Sequence, residues 1–275
     1  MNLIDVHCHL THDYFKDKLD AILKRAEKAG LKAIIVSGIN PEANREVLAL
    51  AKKHPKLIKA SLGIYPIDAL GIQPEGVGLA HHKGPINLEE EFKFIEKNKD
   101  AVHCIGEVGM DFHWADKEKT YAQQAENFRK IIRFAIKVRK PLVIHSRKAE
   151  EECLQILEEE IKNQEIPVIQ HCFSGRKSLM TKGAELGHYF SIPPVITKSF
   201  NFQTLVKKVP LTQLLTETDA PWLSPYQDKM NEPAFVVESI KKIAEIKELS
   251  EKEVADQIWK NYQTLSKLLV KNLNY

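Results

Sequence analysis

The sequence predicts an α/β fold, a (β/α)8 TIM barrel with an additional C-terminal helix, on three observations. Eight short apolar runs alternate with amphipathic stretches in which apolar residues recur every three or four positions. The length of 275 residues is close to the roughly 250 that one such barrel uses. Five of the eight runs end in histidine or acidic side chains, which a barrel would gather at one face. We therefore expect residues 1–275 to form a single barrel domain.

The eight strands are predicted from short apolar runs bounded by turn residues. In chain order they cover residues 3–9, 32–38, 58–64, 101–107, 141–146, 167–172, 189–193 and 213–218. Parallel strands whose C-terminal ends meet would bring groups that are far apart in sequence into one site, as a closed α/β barrel does.

Helical patterns fill the connections between these strands. They include DAILKRAEKAG, PEANREVLALAKKH, QQAENFRKIIRFAIKVRK and AEEECLQILEEEIKN. Two more helices are predicted at the end of the chain, over 233–247 and 251–272, and Ser250 with Glu253 forms a capping box at the start of the last one. We expect these helices to cover the outside of the barrel.

Potential metal ligands lie at the ends of the apolar runs. The first run, LIDVHCHL, ends in His-x-His, and because side chains alternate along a strand, His7 and His9 point the same way while Cys8 points opposite. Four later runs end in donors of the same chemical type: Glu107 in AVHCIGEVGMD, His145 in PLVIHSR, His171 in PVIQHCFSG and Asp219 in LLTETDAP. We expect all six to converge.

This donor set predicts a hydrolase with two divalent metal ions. Imidazole and carboxylate donors suit Zn²⁺, Mn²⁺ or Fe²⁺ and make an all-oxygen Mg²⁺ or Ca²⁺ site less natural, although Mg²⁺ stays open. Six ligands exceed one tetrahedral zinc. Glu107 can bridge two cations about 3.5–4 Å apart, with His7 and His9 on one and His145 and His171 on the other. Asp219 is the expected catalytic acceptor of the attacking water's proton.

Substrate contacts are expected beside the ligands. Arg147 follows His145 by two residues and can hold a phosphate or form a structural salt bridge. His113 and Trp222 follow the strand-four and strand-eight ligands and are expected to contact substrate. Further basic residues cluster after strands six and seven: Arg176, Lys177, Lys182, Lys198, Lys207 and Lys208.

Bulk properties limit the possible partners and the compartment. A net charge of +3 is not that of a general nucleic-acid coat protein, so any contact with nucleic acid must be local. The four cysteines form no C-x-x-C pair and no secretory segment precedes the first strand, which favours reduced thiols in the cytoplasm. No apolar run reaches transmembrane length, so no membrane partner is expected.

A series of motifs carries a resemblance to a known family. After an initial DVHCH come GEVGMDFHW, IHSRKA, QHCFSG, TETDAPWLSP and NEP, which resemble the successive motifs of the TatD-like deoxyribonucleases, a branch of the metal-dependent amidohydrolase superfamily. The match covers nearly the entire chain in the right order. It implies a (β/α)8 fold, a divalent metal pair held by the same six residues, and hydrolysis of phosphodiester bonds in DNA, commonly as an exonuclease acting on single strands or ends.

Two departures from the family pattern and two rival functions stay open. Many relatives have His-Pro where this chain has Tyr65-Pro66, and a tyrosine cannot replace a neutral nitrogen ligand. The stretch before Asn231 also lacks an expected arginine.

The first rival function is hydrolysis of an ester, lactone or amide at the same metal site, and the second is a barrel that binds metal or nucleic acid without turnover. The loop over 68–85, with His81 and His82, has no assigned role.

Overall fold

The computed structural model describes residues 1–73, 80–162 and 164–271. Eight parallel strands form one sheet in which each strand pairs with the next along the chain. Their bounds are β1 Leu3–Cys8, β2 Leu31–Ser37, β3 Ile58–Leu62, β4 Val102–Gly109, β5 Leu142–His145, β6 Val168–Gln170, β7 Tyr189–Ile192 and β8 Leu214–Thr216.

Hydrogen bonds at the ends of the first and last strands nearly close the sheet into a barrel. The N–H of Asp219 donates to the carbonyl of His7 at 2.9 Å, and the N–H of His9 donates to the carbonyl of Ala220 at 2.8 Å. Both bonds lie at the C-terminal ends of β1 and β8. They bring the predicted ligands of the two strands side by side, and the predicted fold class is confirmed.

Helices surround this barrel. They are α1 Leu19–Ala29, α2 Pro41–Lys53, α3 Pro66–Ala69, α4 Leu88–Lys97, α5 Lys117–Val138, α6 Glu150–Glu160, α7 Lys177–Glu185, α8 Phe200–Lys208, α9 Val236–Lys247 and α10 Glu251–Lys271. Short 3-10 turns occur at Asp13–Phe15, Lys99–Ala101, Pro194–Thr197, Leu211–Gln213 and Pro233–Phe235. Among the described residues, no helix is long and apolar enough to cross a membrane.

The end of the chain follows the prediction with one difference. The predicted helix at 233–247 starts as the 3-10 turn Pro233–Phe235, and α-helical geometry begins only at Val236. The capping box is confirmed, because Ser250 Oγ accepts the Glu253 N–H at 3.2 Å and Glu253 Oε2 accepts the Ser250 N–H at 2.9 Å. α10 packs on β1 and β8 as the additional helix. Residue 272, the predicted last helical residue, lies outside the described residues. So do residues 74–79, which belong to the loop over 68–85 that has no assigned role.

The strand ends shift some ligands relative to the prediction. Glu107 lies within β4, which continues to Gly109, and Asp219 lies on the loop after the shorter β8, with φ at 54°. A Cβ on Gly106 would lie 2.5 Å from the Cβ of Val143 in β5, so only glycine allows β4 to approach β5 this closely. The close approach places Glu107 next to the end of β5, where His145 is the last strand residue.

Candidate metal centre

Four donor atoms meet at the C-terminal ends of β1, β4 and β8. The Nε2 atoms of His7 and His9 are 3.2 Å apart, and they lie 3.4 and 3.5 Å from Oε2 of Glu107. The same two nitrogens lie 3.6 and 3.5 Å from Oδ1 of Asp219. Imidazole nitrogen and carboxylate oxygen gathered this closely are the donors by which proteins bind Zn²⁺. The donors therefore fit a divalent cation.

The orientation of these two histidines follows from strand alternation and from one serine. His7 and His9 face the barrel mouth, whereas the thiol of Cys8 between them points to the carbonyl of Ile35, as predicted. Nδ1 of His9 donates to the carbonyl of Ser37 at 3.2 Å, and Nδ1 of His7 lies 3.0 Å from the Ser37 hydroxyl. Because Nδ1 is engaged in both rings, Nε2 is the nitrogen that each ring presents to a cation.

The second half of the centre contains His171 and His145. Oε1 of Glu107 lies 2.8 Å from Nδ1 of His145 and 3.8 Å from Nε2 of His171. The two oxygens of one carboxylate thus face the two predicted halves of the site. His171 stacks on His7, with ring centroids 3.6 Å apart, which keeps the halves in contact.

His145 is the least tightly grouped of the six predicted ligands. Within the described part of the chain, the clusters of donor atoms that lie within 4.8 Å of one another join His7 with Glu107 and His171, His7 with His9 and Asp219, and His171 with Cys172 and Asp219. His145 instead contacts carboxylates through both of its ring nitrogens, Glu107 through Nδ1 and Asp111 through Nε2, each at 2.8 Å.

Carboxylates behind the histidines were missed by the sequence reasoning. Glu217 accepts the Nδ1–H of His171 at 2.7 Å and the N–H of Cys172 at 2.9 Å. Asp111 accepts the Nε2–H of His145 at 2.8 Å. Such carboxylates orient a ligating imidazole and raise its basicity. The signal was available for Glu217, which precedes Asp219 by two residues in TETD and so shares a face with it in an extended segment.

Asp5 is a further missed residue with a structural contact to the site. Its side chain is fully buried and accepts the N–H of His7 at 3.2 Å and the N–H of Thr218 at 3.0 Å. Burial raises the pKa of Asp5 well above its ordinary value. Because Asp5 contacts both β1 and the segment after β8, it holds the segments that carry His7 and Asp219 next to each other.

The protonation of the centre reflects its mixture of charges. Burial alone would raise the pKa of Glu107, but the charge of His7 and the hydrogen bond from His145 hold it well below the ordinary value. The pKa of Asp219 is also lowered against the effect of burial, through His9 and His171. These carboxylates are therefore ionised and suited to hold cations.

A cavity of about 510 Å³ opens above the metal centre. Its walls include His9, Tyr65, Glu107, Trp114, His145, Ser146, Arg147, His171, Cys172, Ser174, Phe202, Asp219, Trp222 and Leu223. The volume lies within the range usual for small-molecule sites. Two of the three predicted substrate contacts, Arg147 and Trp222, therefore lie in the cavity wall.

The third predicted substrate contact, His113, lies outside the cavity wall. His113 is exposed beside Trp114, with ring centroids 4.6 Å apart, and it is not among the described residues that line the cavity. Its role as a substrate contact stays a prediction. Arg147 has no ion pair within the described residues, so the structural salt bridge that was the alternative role for Arg147 is not found. Its guanidinium lies 5.6 Å from the Trp114 ring centroid.

Some of the other polar groups of the predicted surface are engaged in ion pairs. Arg176 pairs with Glu151 at 2.9 Å and Lys182 pairs with Glu158 at 2.7 Å. The first pair connects the residue before α7 with α6, and the second connects α7 with α6. These two cations are thus part of the helical layer, which leaves Arg147 as the predicted basic residue in the cavity wall.

A parallel (β/α)8 barrel with histidine and carboxylate donors at its C-terminal mouth defines a metal-dependent hydrolase. The sequence model of the family TatD related DNase matches residues 4–267 of the chain. The chain therefore belongs to the family of TatD-related DNases, as its motifs predicted.

Individual relatives cover nearly the whole chain. Deoxyribonuclease TATDN3 from Homo sapiens is 32% identical over 95% of this chain and 93% of its own length. The metal-dependent hydrolase YabD from Bacillus subtilis is 30% identical over 97% of this chain and 99% of its own. The crystal structure of YJJV, a TatD homologue from Escherichia coli, matches with a TM-score of 0.82 and 26% identity, over 96% of this chain and 98% of that one.

Proposed function

We propose that residues 1–275 act as one catalytic unit that hydrolyses phosphodiester bonds of DNA with two divalent cations. The substrate is an unpaired strand or a free end, which the enzyme digests as an exonuclease. The proposal rests on one observation above all: Glu107 directs one carboxylate oxygen to His7 and His9 and the other to His145 and His171. A carboxylate in this position can bridge two cations.

The six donors divide between the two cation positions. His7, His9 and Asp219 would hold one ion, His145 and His171 would hold the other, and Glu107 would touch both. Divalent ions held in this way lower the pKa of a water molecule and polarise a phosphoryl oxygen. The nitrogen and carboxylate donors suit Zn²⁺ or Mn²⁺, and Mg²⁺ is the third candidate.

The protein's own groups supply the proton transfer and the binding of the phosphate. Asp219 is ionised and lies in the cavity wall, where it can accept the proton of the attacking water. Arg147 is exposed in the same wall and can donate two parallel hydrogen bonds to a phosphate. The charge of its guanidinium would then hold the scissile group next to the donors.

The aromatic side chains and the size of the cavity favour an unpaired strand. Trp114 and Trp222 both line the wall, and Trp222 packs edge-on against His9, with ring centroids 5.5 Å apart. Bases of a single strand stack on such side chains without regard to sequence. A cavity of about 510 Å³ accommodates a terminal or extruded nucleotide, which favours action at strand ends.

The compartment remains a prediction from the thiols. Cys8, Cys104, Cys153 and Cys172 are all free cysteines. Free thiols are typical of a reducing compartment, which supports a cytoplasmic location.

The test is hydrolysis of an end-labelled single-stranded oligonucleotide by protein stripped with EDTA and reloaded with Mg²⁺, Mn²⁺ or Zn²⁺. A blunt duplex and a generic ester are assayed in parallel. We expect metal-dependent shortening of the single strand from one end, slower digestion of the duplex and no cleavage of the ester. An inert oligonucleotide with turnover of the ester would contradict the nuclease function and favour an amidohydrolase, in which Arg147 holds a carboxylate. Tight DNA binding without any turnover would favour the non-catalytic alternative.

A further inference from the structure

Tyr65 lies where the segments after β3 and β4 meet the mouth of the barrel. Only 5% of its surface is exposed, and its hydroxyl donates to Oδ2 of Asp111 at 2.9 Å. The same hydroxyl is 3.4 Å from Nε2 of His145, and the two rings pack edge-on with centroids 4.8 Å apart. The proposed function assigns no role to this side chain.

Asp111 connects Tyr65 to the metal centre. Its Oδ1 accepts the N–H groups of His113 and Trp114 at 2.7 and 2.8 Å, which fixes that end of the carboxylate to its own loop. Oδ2 is the oxygen that accepts both the tyrosine hydroxyl and the Nε2–H of His145. The hydroxyl therefore holds, from the segment after β3, the oxygen that orients a ligand on β5.

His145 is the most exposed of the four ligand histidines, and Asp111 is one of the two carboxylates that hold its ring. Its side chain is 12% exposed, whereas the other three are 0% to 5% exposed. Both of its ring nitrogens contact carboxylates, of Glu107 and Asp111. If Oδ2 of Asp111 moves, the imidazole loses the partner of its Nε2 and can turn toward the cavity that it lines.

We propose that Tyr65 is a positioning residue for the second cation. Acting through Asp111, its hydroxyl sets the affinity of the His145 side of the centre and leaves the side of His7 and His9 unchanged. The inference rests on the proposed two-cation function. It explains how a tyrosine serves at this position although it offers no neutral nitrogen to a metal.

The test is Mn²⁺ binding to EDTA-stripped protein, measured by isothermal titration calorimetry. We expect wild type to take up two ions. Tyr65→Phe removes only the hydroxyl and should weaken one of the two sites about tenfold, the lower end of the range for partners of a ligating histidine. Tyr262→Phe is the matched control, because Tyr262 is also a buried tyrosine, packed against His103 at the outside of β4. It should leave both affinities unchanged.

A double-mutant cycle tests whether the effect passes through Asp111. In an Asp111→Asn background, Tyr65→Phe should cause no additional loss of Mn²⁺ affinity, since the two changes would break one pathway. Equal weakening of both sites, no weakening of either, or additive losses would each overturn the inference. If wild type takes up fewer than two ions, the two-cation function itself falls. If wild type takes up two and Tyr65→Phe is unchanged, only the role of Tyr65 falls.

Discussion

Two pairs of histidines, one at each end of the barrel, have pKa values that are shifted in opposite directions. At the C-terminal mouth, the pKa of His145 is raised to about 9 and that of His171 to about 10. At the other end, His103 near the start of β4 and His188 just before β7 have their pKa lowered to about 4. Without bound cations, neutral pH therefore finds the first pair charged and the second pair neutral, and the first pair must release protons to bind a metal.

The neighbouring charges explain the difference. Burial by itself lowers the pKa of all four histidines. At the mouth, the carboxylates of Asp111 and Glu217 outweigh burial through hydrogen bonds and charge. At the opposite end, the cations Lys140 and Lys59 lower the pKa of His103 further. Burial thus occurs at both ends, and it is the surrounding carboxylates that distinguish a functional site from packing.

Glu107→Ala should have the largest effect, because it removes the carboxylate that faces both halves of the mouth. We expect kcat for oligonucleotide hydrolysis to fall by more than about a thousandfold, with an unchanged circular dichroism spectrum. Glu91→Gln is a control at another buried glutamate, which pairs with Arg45 outside the centre, and it should retain activity. Hydrolysis that persists in folded Glu107→Ala would refute the bridging role.

Glu217→Gln should reduce cation affinity by roughly 10- to 100-fold, as is typical for a carboxylate behind a ligating histidine. The variant keeps the size of the side chain but removes the charge that raises the pKa of His171. Mn²⁺ titration of the stripped protein measures the loss. An unchanged affinity would mean that the contact of Glu217 with His171 serves packing alone.

Acid should destabilise the protein through His103 and His188, the pair whose pKa is lowered. An unfolded histidine has a pKa near 6.5, so between about pH 6.5 and 4 the unfolded state binds more protons than the folded state. The resulting stability is present above pH 6.5 and is lost as the pH falls toward 4, by about 1–2 kcal/mol per histidine at pH 5. Urea unfolding at pH 7 and pH 5 measures this change. His103→Gln should flatten the pH dependence, and an equally steep loss in the variant would contradict the assignment.

Arg147→Gln should have the smallest effect, since it removes a substrate contact and no metal ligand. We expect KM for the oligonucleotide to rise about tenfold, the loss of one charge-assisted hydrogen-bonding group. Lys148→Gln is the matched control at the next residue, which is exposed but does not line the cavity. Equal changes in both variants would point to general charge attraction and not to a phosphate contact by Arg147.

Much of the mouth was predictable because it is built on strands. Alternation placed His7 and His9 on one face and Cys8 on the other, and the structure has this arrangement. The same rule applied to Asp5 and Glu217, which lie two residues before a predicted ligand, would have found both. Asp111 was beyond this rule, because it lies in a loop, where side-chain direction does not follow a period of two.

The sequence by itself determined the eight strands and the six donors, because apolar periodicity and side-chain alternation are local properties of the chain. Only the tertiary structure decided that Tyr65 and Asp111, from different loops, meet at His145. It also decided that the pKa of His171 is raised while that of His103 is lowered, because the pKa of a buried histidine depends on which distant charges the closed barrel brings beside it.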